Sequence, residues 1–190
     1  MKLVFATNNP NKLSELQAFV PQGIEILSLI DINCNEELPE TNPTLEDNAL
    51  QKAQYVYQNY GFNCFADDTG LEIEALGGAP GVYSARYAGQ DCSAEDNMKK
   101  VLKKLEDEEN RNAKFRTVIA LIIKGEENLF EGECNGSITK IKNGVEGFGY
   151  DPIFIPEGCE ITFAEMSKQK KGAISHRGRA VEKLVAFLNS

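Results

Sequence analysis

A chain of 190 residues, 42% apolar and 26% charged, has the size and composition of one soluble domain that needs no disulfide or metal staple. A formal net charge of −9 excludes a general nucleic-acid binder, which requires a basic surface, but leaves room for a small anionic ligand held by locally gathered cations. No apolar run approaches the ~18 residues of a membrane span, MKLVFATNNP is too short an apolar segment for a signal peptide, and five scattered cysteines without a CxxC pair read as free thiols of a reducing cytosol.

The run Lys2 to Ala6 predicts a central strand. Leu13, Leu16, Phe19 and Val20 then recur at helical spacing behind Asn9 as N-cap and Pro10 at the first helical position. Lys12 falls in the first turn, where a cation opposes the helix dipole unless an anion joins it. A second strand is expected over Ile24 to Ile30, then an acidic loop to Pro43 in which Glu40, on its own, reads as a solvated carboxylate. Thr44 and Asp47 resemble a capping box opening a helix to about Tyr60, stopped by Gly61. Asn48 and Lys52, four apart, share one polar edge of it.

Asn63 to Ala66 predicts a strand that delivers Asp67 and Asp68, after which Thr69 and Gly70 turn the chain. Adjacent carboxylates at the end of a buried strand need a cation, a shared proton or water. A strand end is also where open α/β sheets place ligands. The pair therefore reads as a divalent-metal site or general base, against the alternative of a surface turn. Leu71, Ile73 and Ala75 alternate with Glu72 and Glu74 as in a half-buried strand, broken by Gly77, Gly78, Pro80 and Gly81. Ser93 caps a further helix with Met98, Val101, Leu102 and Leu105 inside, and its tail from Glu106 to Arg111 reads as exposed. Strands are expected at Phe115 to Lys124, Asn128 to Cys134 and Ser137 to Ile141, the last two joined by an Asn135-Gly136 hairpin.

GVEGFGYDPIF, from Gly144, is a glycine-rich loop presenting Phe148, Tyr150 and Asp151, and Thr162 to Glu165 reads as a capping box. An unusual basic cluster follows: Lys168, Lys170, Lys171, His176, Arg177 and Arg179. Ser175 is expected to cap the last helix, with Val181, Leu184, Val185 and Leu188 as its buried stripe and His176 and Arg177 in its first turn, a second place where cations oppose a dipole. The order of elements predicts mixed α/β architecture, a twisted sheet with helices packed on it and a ligand cleft.

Four segments in this order, Thr7-Asn8-Asn9-Pro10-Asn11-Lys12, Ala66 to Gly70 continuing through GGAPGVYSARYAG, Gly147 to Pro152, and Ser175-His176-Arg177-Gly178, resemble the inosine triphosphate pyrophosphatase family of purine-selective nucleoside triphosphate diphosphatases. The resemblance implies Mg2+-dependent hydrolysis of ITP, dITP and XTP to the monophosphate and pyrophosphate, in a single domain over residues 1–190. It implies an elongated, two-lobed mixed sheet with flanking helices and a central cleft, and a cytoplasmic homodimer. By position, it implies that Thr7, Asn8, Asn9, Pro10, Asn11 and Lys12 hold the triphosphate and that Asp68 and Glu40 hold Mg2+, with Asp68 the proton acceptor. Lys52, Thr69, Lys171, His176 and Arg177 match substrate-contacting positions, and Phe148, Gly149, Tyr150 and Asp151 the base pocket. The family often has Gly where this chain has Asn8 or Asn9, a change that left-handed-tolerant Asn accommodates. Two other readings stand beside this one: a pyrophosphatase preferring other modified nucleotides, and a non-catalytic nucleotide binder needing neither Mg2+ nor Asp68.

Overall fold

The computed structural model describes residues 1–17 and 23–190, the side chain of Gln17 excepted. The expected helical positions Phe19 and Val20 lie outside the described residues. The elements are β1 (Lys2–Phe5), α1 (Pro10–Gln17), β2 (Glu25–Leu27), α2 (Leu45–Tyr60), β3 (Cys64–Ile73), β4 (Pro80–Gly81), α3 (Ala94–Lys104), β5 (Asn112–Ile123), β6 (Glu126–Ile138), β7 (Phe154–Pro156), α4 (Lys168–Ile174) and α5 (His176–Leu188), with short 3-10 turns between them. This is mixed α/β architecture. Strand neighbours follow the order β2-β1-β3-β5-β6-β7, with β4 on β3. The pairs β1–β2 and β1–β3 are parallel, and β3–β4 and β6–β7 antiparallel.

The chain divides into two compact units: residues 1–68, 117–132 and 177–190 form the first, 69–116 and 133–176 the second. In the first, Leu3, Phe5, Phe65, Ile119 and Leu121 from the strands pack with Leu16, Ala180, Val181 and Leu184 from helices. Phe5 and Phe65, cross-strand neighbours on β1 and β3, stack at 4.7 Å and 9°. In the second, Leu71, Ile73, Phe115 and Phe154 pack with Met98 and Val101 of α3 and with Phe163.

Local signals set the helix ends. The Asn9 Oδ1 accepts the Asn11 N–H at 2.9 Å, which starts α1. Thr44 caps α2 by accepting from the Asp47 N–H at 3.1 Å, and Gly61, left-handed at φ 73°, ends it. Ser93–Asp96 and Thr162–Glu165 are complete capping boxes. A turn that the sequence reading passed over is α4, begun by Ser167 accepting from the Lys170 N–H at 3.2 Å. The second strand is only Glu25–Leu27, shorter than expected, because a 3-10 turn begins at Ile30.

Three local expectations are corrected. Thr69 and Gly70 do not turn the chain, because β3 continues to Ile73. Gly70 is there for closeness, since a Cβ on it would lie 2.8 Å from the Gly81 carbonyl oxygen of β4. The hairpin is not at Asn135-Gly136 but at Lys124-Gly125, both at positive φ (52° and 85°), the conformation a two-residue turn demands. Strand β6 runs unbroken through Gly136, where a Cβ would meet the Ile155 carbonyl oxygen at 2.2 Å and the Phe154 ring at 2.6 Å. Finally, Arg111 is not part of a solvated tail, since its guanidinium donates to the carbonyls of Leu105, Ile138 and Thr139 at 2.6 to 2.7 Å.

Candidate active site

In the first unit, β3 brings Asp67 and Asp68 inward together, with 1% and 7% of their surface exposed. The two carboxylates have separate partners. Asp67 Oδ1 lies 3.0 Å from Lys12 Nζ, and Asp67 Oδ2 accepts from Arg177 Nε at 3.2 Å. Arg177 also pairs with Glu15. Burial opposes charge on Asp67, but Lys12, Arg177 and Lys52 outweigh it and hold its carboxyl well below the usual range. The two dipole-opposing cations foreseen from sequence thus have internal anions, Asp67 and Glu15.

Asp68 faces α2. Lys52 Nζ sits 3.9 Å from Asp68 Oδ1, donates to the Asp67 carbonyl at 2.8 Å and pairs with Glu40, so Glu40 is ion-paired rather than simply solvated. Burial raises the Asp68 carboxyl; Lys52 and Lys12 pull it back, and Glu40 and Asp67 add to the rise. Burial works against charge on Lys52, yet Asp68, Glu40 and Asp67 together raise it. Lys12 goes the other way, because burial outweighs the attraction of Asp67. The sequence reading put Asn48 on this edge of α2 without giving it a role. It is 1% exposed and its Nδ2 donates to Asp68 Oδ2 at 3.3 Å.

The loop Thr7 to Lys12 is self-braced. Thr7 Oγ1 accepts the Asn9 N–H at 3.2 Å, and the Asn8 amide bridges the backbone of Glu36 and Leu38, both at 3.1 Å. Asn8 therefore fixes the neighbouring loop with its side chain, which a glycine there could not do. Pro10 and Asn11 open α1.

In the second unit, Asp151 and Lys171 form a buried pair at 2.7 Å. The same Asp151 Oδ2 accepts the Phe148 N–H at 2.8 Å, which closes the loop into a compact turn. Lys171 Nζ stands 5.0 Å from the Phe148 ring centre and 5.5 Å from that of Phe163. His176, buried, stacks on Phe115 at 4.5 Å and 16°. Tyr150 donates its hydroxyl to the Ser84 carbonyl at 2.8 Å and so supports the loop from beneath. Gly149 is left-handed at φ 63°, and Gly147, at φ 75°, leaves the space that Asp151 Oδ2 fills, 2.1 Å from where a Cβ would be. Thr69 follows Asp68 on β3, half-buried.

A parallel β1-α1-β2 unit, a third parallel strand carrying paired carboxylates midway along it, and lysines that hold those carboxylates define the class: a mixed α/β protein with a carboxylate–lysine centre on a central strand. The chain belongs to the Ham1 family, whose model matches residues 3–187. It is 56% identical, over the whole of both chains, to a dITP/XTP pyrophosphatase of Christiangramia forsetii. Among solved structures, a HAM1 protein from Coxiella burnetii is 37% identical with a TM-score of 0.91, covering 100% of this chain and 98% of its own. A nucleoside-triphosphatase (dITP/XTP pyrophosphatase) from Mycobacterium abscessus is 45% identical with a TM-score of 0.77, covering 97% of this chain and 98% of its own.

Proposed function

We propose that this protein is a nucleoside triphosphate pyrophosphohydrolase that converts dITP, ITP and XTP to the monophosphate and pyrophosphate, clearing deaminated purines from the nucleotide pool. The observation that carries the reading is the convergence of Glu40 and Asp68 on a single cationic point, the Lys52 ammonium. Two hard carboxylates gathered around one ammonium suit Mg2+, which keeps several waters and needs only one or two protein ligands, once Lys52 turns to the phosphates. Glu40 and Asp68 would hold it, and bound there it would neutralise phosphate charge and polarise water.

The residues divide the remaining work. Hydrolysis of a phosphoanhydride is mostly placement of water and stabilisation of charge. Lys12 and Lys52 hold phosphate oxygens, and the loop Thr7 to Asn11, backed by the start of α1, receives the triphosphate. Asp68 takes the proton of the attacking water at its carboxylate as oxygen bonds to the α-phosphorus and pyrophosphate leaves. Asp67 keeps Lys12 and Arg177 in place. Phe148 stacks on the base on the face away from Lys171, with Gly149 and Tyr150 shaping the loop. His176, Arg177 or a nearby backbone N–H furnishes the donor that distinguishes a C6 oxygen from the amino group of adenine, because a buried donor left unpaired by adenine is costly, while Asp151 and Lys171 brace the base loop. Thr69 and Arg177 complete the set. The chain is proposed to work as a homodimer in the cytoplasm, a setting consistent with five free cysteines. Light scattering on the purified protein tests the dimer.

The deciding experiment is pyrophosphate release from ITP, XTP, dITP, ATP, GTP and dTTP, each with Mg2+ and with EDTA. Metal-dependent turnover of the first three, with the others slow, is expected, together with a loss of about 100-fold or more in kcat for Asp68→Asn. Binding of ITP without turnover, or normal turnover by Asp68→Asn, would overturn the reading.

A further inference from the structure

Helix α2 grips both oxygens of Asp68 from two successive turns. Lys52 approaches Oδ1 at 3.9 Å, and Asn48, one turn earlier, donates to Oδ2 at 3.3 Å. The same two residues grip the segment that carries Glu40. Lys52 pairs with the Glu40 carboxylate itself. Asn48 holds the Asn42 backbone at both ends, its Oδ1 accepting the Asn42 N–H at 2.8 Å and its Nδ2 donating to the Asn42 carbonyl at 3.2 Å. One buried amide therefore links the Glu40 segment to Asp68, with its acceptor and both of its N–H groups engaged. Asp at this position would lose the donors and set a charge against Asp68; Ala or Ser would lose the reach.

We infer that Asn48 is the positioning residue that fixes Glu40 and Asp68 as one metal-binding pair, orienting Asp68 through its Oδ2 and holding the Glu40 segment in register through Asn42. The inference rests on the reading of Glu40 and Asp68 as metal carboxylates. Gln51, one turn along the same loop contact, supplies the control. Its Oε1 accepts from the Thr41 N–H and from Asn42 Nδ2, both at 3.0 Å, contacts that lie within the loop. It docks the loop without orienting the aspartate.

The test is Mn2+ binding to the full-length protein without nucleotide, by calorimetry or by the loss of the free-ion EPR signal, for wild type, Asn48→Ala, Gln51→Ala, Glu40→Ala and the Asn48→Ala/Glu40→Ala double variant. Asn48→Ala is expected to weaken Mn2+ binding by about 10- to 100-fold, the range for groups that orient metal ligands. Gln51→Ala is expected to weaken it much less, and the double variant less than the product of the two single losses, because they act on one pair. In turnover, Asn48→Ala should need more Mg2+ for half-saturation, with kcat recovering toward wild type when Mg2+ is saturating. Wild-type affinity in a folded Asn48→Ala, equal losses in Asn48→Ala and Gln51→Ala, or independent losses in the double variant would each overturn the inference while leaving the metal site standing. If Asn48→Ala does not fold, Asn48→Ser takes its place, and unfolding of both would overturn it by assigning Asn48 to the scaffold. Wild type that binds no Mn2+ would instead overturn the metal-site reading beneath it.

Discussion

Replacing Asp67 with Asn keeps the shape of the side chain and removes its charge. Asp67 is 1% exposed and faces Lys12 at 3.0 Å and Arg177 at 3.2 Å, so the substitution leaves buried cations short of an anion. Breaking a buried pair from one side costs about 3–5 kcal/mol. One feature places Asp67→Asn near the lower end: Arg177 keeps Glu15. A loss of about 3 kcal/mol corresponds to a fall in Tm of roughly 6–12 °C for a chain of this size. Scanning calorimetry in EDTA would measure it, with Lys2→Ala as reference. The Lys2–Glu25 pair is more than half exposed on both sides and contributes within about 1 kcal/mol. The pH dependence has a definite sign. Because the folded carboxyl is depressed, its contribution is present above the unfolded value of about 3.9 and is lost as pH falls through the folded one. The acid limb of the stability profile should therefore be flatter in Asp67→Asn than in wild type. A Tm shift no larger than that of Lys2→Ala, or an unchanged acid limb, would refute the account of Asp67 as the anion that holds two helix starts.

Phe148→Ala should raise KM about 5- to 150-fold for every purine substrate with kcat little changed, the signature of lost stacking energy of ~1–3 kcal/mol, and steady-state kinetics with ITP and XTP would check it. Gly136→Ala, whose methyl would lie 2.2 Å from the Ile155 carbonyl oxygen, should destabilise by about 1–3 kcal/mol in urea unfolding. Burial pushes the Cys64 thiol up to about 12, so iodoacetamide should leave Cys64 intact in the native protein at pH 8. The same raised value makes its neutral form a source of stability that is complete below about pH 9 and lost as pH rises toward 12, at about 1.4 kcal/mol per pH unit. In alkaline melts, Cys64→Ala should lack that part of the fall.

What could be read from the sequence was local. The caps at Asn9, Thr44, Ser93 and Thr162 were legible because each acts within three residues of itself. The adjacency of Asp67 and Asp68 and the cations near two helix starts were legible as anomalies of charge. Their resolution was not, because Lys12 and Arg177 meet Asp67 across 55 and 110 residues of chain. Asn135-Gly136 misled because a glycine chosen to let a ring pass looks the same in sequence as one chosen to turn. Lys124-Gly125 was passed over because Lys seldom takes positive φ. Asn48 was visible as a polar residue beside Lys52, but nothing in the sequence placed its amide on Asp68.

The buried charges have a consequence for how substrate arrives. Among the described residues the fully buried cations Lys52, Lys171 and Arg177 are matched in number by the buried anions Asp67, Asp68 and Asp151, so the excess negative charge behind the formal −9 lies on partly and fully exposed groups. A nucleoside triphosphate thus approaches against a repulsive far field and meets attractive groups only at close range. Added salt, which shortens the reach of that repulsion to about 8 Å at physiological ionic strength, should quicken the encounter even as it weakens the grip. Pairing the nucleotide with Mg2+ before it arrives would have the same effect, lowering the charge that the surface repels.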